Sequence, residues 1–332
     1  MKILYAIQGT GNGHISRALD IVPILKQQAK VDLLISGIQA DLDLPYQVKY
    51  RFNGLSYIFG KNGGIDYRET WERSNLVQLF RDIRGLPVRD YHLVISDFEP
   101  VSAWACAVKG VKAVGLSHQN AVLHAAAPKP EKFHQGAKWV LQCYAPTAYR
   151  YGFHFQSWGT GNHTPVIRQC IRTARTEDQG HVTVYLPSYK DQRILQVLGK
   201  IPEIRWEVFS KHNLTEKQQD NIIIYPIDNQ RFVESLVKCH GVLCGAGFET
   251  PAEALFLRKK LMVIPMKAQY EQHCNAAALN SLGVPVISSL KEKYLPNITK
   301  WLASDQRVDV TYRDQTRDVV NTILNTHLNH WR

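Results

Sequence analysis

The sequence predicts an α/β protein made of two Rossmann-like domains that face each other across a cleft. The chain has 332 residues, which at about 150 residues per domain is enough for two separate cores. Short apolar segments of β type alternate with helical segments in both halves, as is typical of parallel sheets covered by helices. Between the halves, residues 158–180 are rich in turn-forming and charged residues and break this alternation.

The first half begins with a strand, a glycine loop and a helix. Residues 2–7 are short and rich in residues that favour strands, whereas the glycines of residues 9–13 prevent a regular element. The next residues have helical spacing, so a helix is predicted over residues 15–28. Further strands are predicted at residues 31–36, 92–96 and 112–115, with an apolar helix at 101–108.

The second half repeats the alternation. Strands are predicted at residues 182–186, 204–209, 222–225, 241–244 and 261–264. Helices are predicted at residues 192–198, 230–238, 250–257 and 271–282. We therefore expect a first domain over residues 1–160, a linker over 161–180, a second domain over 181–312 and a closing helix within 313–332.

The composition favours an anionic partner. Forty Lys and Arg residues against 29 Asp and Glu give a net charge of +11, which suits nucleotide phosphates, acidic lipid surfaces or nucleic acid. The basic residues form no run of five or six, and no zinc-finger or RNA-binding signature accompanies them. Nucleic acid is therefore disfavoured as a partner.

The cysteines and the apolar segments indicate the cellular setting. The six cysteines lie far apart and form no CxxC pair, which predicts a reducing cytoplasm. The apolar stretch at the amino terminus is too short for the core of a signal peptide. No 18 consecutive residues are apolar, so no membrane span is predicted.

The glycine loop argues against two common nucleotide sites. It lacks the Gly-x-Gly-x-x-Gly spacing of dinucleotide-binding proteins, and the second strand ends in Ser36-Gly37 without an acidic residue for a ribose. It also lacks the Gly-Lys-Ser/Thr of a Walker loop. The loop does offer N–H groups at a helix start, which suits an anion or a sugar. Its residues are Gly9, Thr10, Gly11, Asn12 and Gly13.

Four residues at the ends of predicted strands are candidates for catalysis. His14 would lie at the carboxyl end of a parallel strand and could take a proton from a hydroxyl, or it could only cap its helix. Asp97 and Glu99 follow another strand on the same edge, and either could orient His14, act as a base, or cap the next helix. His118, followed by Gln119, could line the acceptor side of the cleft, or be a buried loop histidine.

The second half contains a series of polar loop ends that indicates a nucleotide-sugar site. The glycine-rich turn at residues 245–247 and Thr250 at a helix start can offer donors to a diphosphate. Glu253 lies one turn further and can accept hydrogen bonds from ribose hydroxyls, and the two residues that open the next helix can bind sugar hydroxyls. The predicted donor-binding residues are Gly245, Ala246, Gly247, Thr250, Glu253, Glu271 and Gln272.

This segment resembles the donor-binding signature of GT-B glycosyltransferases, especially the MurG family of peptidoglycan N-acetylglucosaminyltransferases and the UDP-dependent glucosyltransferases. The sequence Gly-Thr-Gly-x-Gly-His of the first loop is also similar to that of MurG. One position departs from the pattern, since Gly245 stands where the plant-type signature has a His that contacts the diphosphate. The matching positions are Gly245 to Gly247, Thr250, Glu253, Pro265, Glu271-Gln272 and Asn275-Ala276.

The resemblance implies the GT-B fold over nearly the whole chain and an inverting sugar transfer that uses no metal and no other cofactor. It also implies that a helix within residues 314–328 returns to the first domain. We therefore expect a cytoplasmic enzyme that moves a sugar from a nucleotide sugar, expected to be UDP-linked, to an acceptor hydroxyl. The acceptor can be a glycan, a lipid-linked sugar or a small molecule.

Two alternatives to a transferase remain open from the sequence. A UDP-N-acetylglucosamine 2-epimerase would use the same nucleotide site without an acceptor, and a non-catalytic protein would only bind the nucleotide sugar. Residues 70–85 add a question about the membrane, because Arg73, Arg81 and Arg84 flank an apolar helical face. This segment could contact an anionic membrane surface, or it could be a helix packed on the sheet.

Overall fold

The computed structural model of the protein describes residues 1–10, 12–37, 44–54, 76–131, 135–267 and 269–328. These residues form two α/β units, each with a parallel sheet at its centre, as the sequence predicts. The first sheet runs in the order β3-β2-β1-β4-β5-β6-β7, and its strands pair in parallel. Its strands are β1 (Lys2–Gln8), β2 (Lys30–Ser36), β3 (Tyr50–Phe52), β4 (Leu93–Asp97), β5 (Val114–Leu116), β6 (Tyr149–Phe153) and β7 (Asn162–His163).

Helices cover both faces of this sheet, which is why residues 3–7 of the interior strand β1 are all apolar. In β1, Ile3, Tyr5 and Ile7 share a core cluster with one set of helices, whereas Leu4 and Ala6 share another. Helix α1 packs on the first of these faces, and α2 and α3 pack on the second. The helices of this domain are α1 (Asn12–Lys26), α2 (Leu76–Gly85), α3 (Pro100–Lys109), α4 (His118–Leu123) and α5 (Gln135–Tyr144).

The strand order creates a crevice at one edge of the first sheet. β1 lies between β2 and β4, so the chain leaves β1 towards one side and leaves β4 towards the other. The carboxyl ends of β1 and β4 therefore open a space between their loops, which is where open α/β sheets bind ligands. Both His14 and Asp97 belong to this edge.

The segment that the sequence predicts as a linker, residues 161–180, contains two short elements. It begins with β7, which pairs in parallel with β6 at the margin of the first sheet. It continues with the short helix α6 (Gln169–Arg172) before the chain enters the second sheet. The first sheet thus extends a few residues beyond the expected boundary at residue 160.

The second sheet has the order β10-β11-β9-β8-β12-β13, with β10 antiparallel to β11 and the other described pairs parallel. Its first strand, β8, lies between β9 and β12, so this sheet also has a crevice at its carboxyl edge. The strands are β8 (Val182–Tyr185), β9 (Trp206–Ser210), β10 (Lys217–Gln219), β11 (Ile222–Pro226), β12 (Gly241–Gly245) and β13 (Lys260–Ile264). The helices are α7 (Asp191–Leu198), α8 (Asn229–Lys238), α9 (Glu249–Phe256), α10 (Tyr270–Ser281) and α11 (Leu295–Ala303).

The last helix, α12 (Thr316–Leu328), lies against α1 of the first domain. The Gln28 amide donates to Asn321 Oδ1 at 2.7 Å, and the Arg317 guanidinium donates to the Gln27 amide oxygen at 2.9 Å. The chain therefore crosses from the second domain back to the first, and the two domains are joined by two connections rather than one.

Helix α2 is the described part of the segment considered for membrane contact, since residues 70–75 lie outside the described residues. Leu79 and Ile83 are buried against the sheet, whereas Val77 and Phe80 are each 62% exposed. The helix thus packs on the sheet by one face and presents apolar side chains on the other. Among the described residues, no helix has the length and apolar character needed to cross a membrane.

Asp20 of α1 faces the junction between the domains and gives a testable effect on stability. Burial raises the pKa of Asp20 from 3.8 to about 6. The nearby negative charges of Asp314 and Glu253 add to this shift, whereas the backbone N–H of Gln169 opposes it. The folded state therefore binds the proton more tightly than the unfolded state, and ionisation makes folding less favourable as pH rises through this window.

We expect Asp20→Asn to raise the free energy of unfolding by about 1 kcal/mol at pH 7 and to change it little at pH 4. The value at pH 7 allows for solvent screening, because the Asp20 carboxyl is partly exposed. The Asn side chain keeps an oxygen for the N–H of Gln169. Urea unfolding of both proteins between pH 4 and 7.5 checks the prediction. A difference that is the same at every pH would contradict it.

Candidate active site

His14 and Asp97 meet at the carboxyl edge of the first sheet. His14 lies in the first turn of α1 and Asp97 ends the neighbouring strand β4, which brings His14 Nδ1 within 2.8 Å of Asp97 Oδ1. Asp97 is fully buried, and burial favours the neutral acid, but Arg17 and His14 outweigh burial and lower the pKa of its carboxyl. In the neutral imidazole, Nδ1–H then donates to the carboxylate, and Nε2 keeps the lone pair that a base needs.

Arg17, which sequence reasoning did not identify, holds this pair from the next turn of α1. Its Nε and Nη2 donate to Asp97 at 2.7 to 3.1 Å, and its Nη1 donates to Glu249 Oε1 of the second domain at 2.8 Å. Only 3% of Arg17 is exposed. Residues three apart on a helix share a face, so the spacing from His14 was a signal that could have found Arg17.

A strained residue separates Asp97, which ends β4, from Glu99, which follows it. Phe98 has φ of 55°, in the left-handed region that costs a non-glycine residue about 1–2 kcal/mol. This turn directs Asp97 towards α1 and Glu99 beneath α3. Glu99 is fully buried and accepts from the N–H groups of Val101 at 2.7 Å and Ser102 at 2.6 Å. The structure therefore places Glu99 as the amino-terminal cap of α3 and does not bring it to His14.

His118 lies at the domain interface rather than in the open cleft. It is 1% exposed, with Nδ1 2.7 Å from the Phe153 carbonyl and Nε2 2.7 Å from Asn275 Oδ1 of the second domain. Its ring stacks on Phe248 with 3.9 Å between centroids. Burial lowers the pKa of His118. The structure thus gives His118 contacts that join the domains and does not place it beside His14.

Gln119 links the candidate base to the candidate sugar site. Its Nε2 donates to Glu271 Oε2 at 3.0 Å and lies 3.4 Å from His14 Nε2. An amide N–H facing His14 Nε2 is compatible with a lone pair on that nitrogen. Glu271, at the start of α10, is therefore held on the first domain's side of the cleft.

A cavity of about 410 Å³ lies between the glycine loop and the second domain. This volume lies within the range of small-molecule sites. Seven of the predicted residues line it: Asn12, Gly13, Gly245, Gly247, Thr250, Glu253 and Gln272.

The remaining predicted loop residues make contacts within the protein. Gly9 N–H donates to the Ser36 carbonyl at 2.6 Å, and Thr10 Oγ1 accepts from the Gln8 amide at 3.0 Å, so both fix the loop. Ala246 is buried, and its carbonyl accepts from Asn275. Gly11 lies outside the described residues.

Glu253 is paired with Arg168 from the linker. Arg168 Nε and Nη2 donate to the two carboxylate oxygens of Glu253 at 2.5 and 2.8 Å, and Nη1 donates to Asn229 Oδ1 at 2.7 Å. Burial raises the pKa of Glu253, and Arg168 opposes this shift. A carboxylate has about four acceptor positions, so two remain for a ligand. Arg168 therefore orients Glu253 at the cavity.

Comparison with known proteins places the chain in a family. The model of the family described as "Glycosyl transferase family 1" matches residues 1–304. The chain belongs to this family and is a glycosyltransferase. No curated protein matches it by sequence. Family membership favours a transferase over the epimerase and the non-catalytic protein that the sequence left open.

Solved structures of GT-B enzymes have the same fold as this family 1 glycosyltransferase. MurG of Acinetobacter baumannii has a TM-score of 0.59 at 14% identity, covering 98% of this chain and 99% of that one. Arabidopsis thaliana UGT89C1, solved with UDP, has a TM-score of 0.57 at 13% identity, covering 98% and 94%. A UDP-glucosyltransferase from Polygonum tinctorium has a TM-score of 0.59 at 12% identity, covering 98% and 93%.

The glycosyltransferase also has an aromatic wall in its cavity that sequence reasoning missed. Tyr185, Phe209 and Phe232 line the cavity from β8, β9 and α8. The Phe209 and Phe232 rings meet edge to face with 5.2 Å between centroids, and Tyr185 lies 5.6 Å from Phe232. These residues are far apart in the sequence, and nothing local distinguishes them from core aromatics.

Proposed function

We propose that this glycosyltransferase transfers a sugar from a UDP-sugar to an acceptor hydroxyl with inversion at the anomeric carbon and without a metal ion. The observation that carries the proposal is the 2.8 Å contact of His14 Nδ1 with buried Asp97, next to a cavity formed by both domains. The pairing leaves Nε2 of the imidazole available to accept a proton.

The chemistry follows from these positions. The acceptor O–H bond breaks as its proton moves to His14 Nε2, and the oxygen forms a bond to the anomeric carbon. The bond from that carbon to the diphosphate breaks on the opposite face, and its electron pair leaves with the nucleoside diphosphate. Attack opposite the leaving group inverts the configuration.

The second domain supplies the groups that we assign to the donor. The amino terminus of α9 and the Thr250 hydroxyl would stabilise the charge that develops on the departing diphosphate. Glu253 would accept from two ribose hydroxyls with the acceptor positions that Arg168 leaves open, and the aromatic wall offers apolar surface to the base. Gln272, whose Oε1 accepts from Met266 N–H at 2.9 Å, is oriented for the sugar together with Glu271.

The acceptor would bind to the first domain, on the side of His14. The exposed stripe of α2, formed by Val77, Phe80, Arg81 and Arg84, combines apolar and basic side chains. Such a surface suits contact with an anionic membrane, where a lipid-linked acceptor would be found. Sedimentation of the protein with vesicles that contain anionic lipid tests this part of the proposal.

The donor assignment predicts selective binding of UDP that depends on Glu253. We expect UDP, among UDP, GDP, dTDP, CDP and NAD, to raise the melting temperature most, because a ligand that binds only the folded protein stabilises it. Glu253→Gln should weaken UDP binding by about 10- to 100-fold, the value of hydrogen bonds to a charged acceptor. Calorimetric titration with UDP measures the affinity.

The matched control is Glu292→Gln, which removes the same charge from an exposed pair with Lys200 outside the cleft. This variant should bind UDP as the natural protein does. Selective stabilisation by NAD, or unchanged UDP affinity in Glu253→Gln, would contradict the assignment. The anomeric configuration of the product tests inversion. Activity with and without EDTA in the assay tests metal independence.

A further inference from the structure

Phe98 carries an aromatic side chain at the crevice of the first sheet that the packing of the fold does not explain. The described residues form three apolar core clusters, and Phe98 belongs to none of them. Phe98 is half-buried, whereas Asp97 and Glu99 on either side of it are fully buried. Its φ of 55° is a conformation that glycine adopts without strain. A glycine would therefore form this turn more easily, and the ring adds to none of the described cores.

Two aromatic rings adjoin the Phe98 ring. The Tyr144 ring stacks on it with 4.7 Å between centroids and 23° between planes. Tyr144 is 5% exposed, and its hydroxyl accepts from Gln8 Nε2 at 2.8 Å, so it supports Phe98 from a fixed position. The His14 imidazole is nearly parallel to the Phe98 ring, at 10°, with 6.5 Å between centroids. A supported apolar surface therefore lies next to the candidate base.

The position of this surface favours contact with the acceptor rather than with the donor. Phe98 is not among the residues that line the donor cavity, whereas it adjoins His14, to which we assign the proton of the acceptor hydroxyl. A strained residue beside reacting groups indicates a side chain that is kept for function. The face of an aromatic ring packs well on another flat surface, such as the C–H face of a pyranose or the ring of a phenol. A straight-chain alcohol has no such face.

We propose that the Phe98 ring is the platform on which the acceptor rests, and that it selects hydroxyl groups carried by a ring over hydroxyl groups on a straight chain. The inference rests on the function proposed above and specifies its acceptor class. A pyranose or a phenol in contact with Phe98 places its hydroxyl within reach of His14 Nε2. The left-handed turn then has two effects, because it directs Asp97 towards His14 and presents the Phe98 ring to the acceptor.

The test measures the binding of three probes to the natural protein and to Phe98→Gly, Phe98→Ala and Phe98→Tyr. The probes are methyl β-D-glucopyranoside, 4-nitrophenol and 1-butanol, and saturation-transfer NMR in the presence of UDP gives their affinities without turnover. Loss of the ring should weaken binding of the glucoside or the phenol by about 5- to 30-fold, because the apolar contact is lost. The probe with the larger loss identifies the kind of ring. Phe98→Tyr should bind within twofold of the natural protein.

The variants Phe98→Gly and Phe98→Ala separate the ring from the turn. Both remove the ring, but only glycine relieves the strain, so Phe98→Gly should unfold at a higher urea concentration than Phe98→Ala. Both should weaken probe binding equally and change UDP affinity less than twofold. The matched control is Arg258→Gly, since Arg258 has a φ of 54° and an exposed side chain after the end of α9. This variant should bind every probe as the natural protein does.

Three outcomes would overturn the inference. They are binding in Phe98→Gly that recovers relative to Phe98→Ala, binding of 1-butanol as tight as that of the ring probes, and no binding of either ring probe to the natural protein. The proposed function is judged separately, by slow hydrolysis of UDP-glucose and UDP-N-acetylglucosamine, which uses water in place of the acceptor. Hydrolysis should proceed at the natural rate in Phe98→Gly. A protein that neither binds UDP nor releases it from these donors lacks the proposed function, whereas the probe titrations still decide the role of Phe98.

Discussion

Replacing His14 by Gln is expected to lower kcat for sugar transfer by about 10²- to 10⁴-fold, the usual contribution of a general base. Gln fills a similar space and can donate to Asp97, but it has no group that accepts a proton near neutral pH. Binding of UDP should change less than twofold, because His14 is not among the residues that line the donor cavity. Measurement of UDP release in the presence of acceptor gives kcat.

The matched control is His92→Gln. His92 is an exposed histidine at the opposite, amino end of β4, where its Nδ1 accepts from the backbone N–H of Lys2 at 3.2 Å. This variant should keep the natural rate. In a second variant, His14→Ala, added imidazole should restore part of the activity. A loss below threefold in His14→Gln would remove the imidazole from the mechanism.

The sheets could be predicted closely from the sequence because parallel strands are buried on both faces. Strand β1, for example, appears in the sequence as a continuous apolar run, and the structure places it within one residue of the prediction. Strand β6 was missed because its first residues, Tyr149 and Arg150, are exposed and polar in part. Strand β7 has only two residues and no recognisable period.

The active-site edge could be predicted for a different reason. Residues at the carboxyl ends of neighbouring parallel strands must lie close together, so the sequence places His14 and Asp97 at one edge without any knowledge of side chains. It could not separate Asp97 from Glu99, because a carboxylate before a helix can either cap that helix or face the crevice. The left-handed turn at Phe98 decides between them.

The individual side-chain pairs that join the domains could not be predicted. Arg17 and Glu249 are 232 residues apart, and their contact depends on how one sheet is seated on the other. The pairing of Arg168 with Glu253 has the same origin, since a linker residue meets a helix of the second domain. Periodicity and the positions of strand ends indicate which residues are close together within one sheet. They do not indicate how the two sheets are placed relative to each other.

Replacing Arg17 by Met is expected to reduce the free energy of unfolding at pH 7 by about 3–5 kcal/mol, the cost of leaving a buried charge without its partner. Asp97 is fully buried, and Arg17 donates to both of its oxygens. Without the guanidinium, burial dominates and the carboxyl favours its neutral form. The free energy of unfolding of Arg17→Met should therefore fall further below that of the natural protein as pH rises above 4, because ionisation of Asp97 then opposes folding.

The double variant Arg17→Met, Asp97→Asn separates loss of charge balance from loss of packing. Removing both charges should recover a large part of the stability lost in Arg17→Met. The remaining difference in free energy of unfolding between the double variant and the natural protein should not depend on pH. Arg231→Met, which breaks an exposed pair with Glu216 at 2.8 Å, is the control and should unfold close to the natural protein. Urea unfolding at pH 5 and pH 8 measures all four proteins. The opposite outcome is a double variant whose free energy of unfolding is lower than that of Arg17→Met. In that case the Arg17 guanidinium stabilises the fold by its packing, and another group balances the buried charge of Asp97.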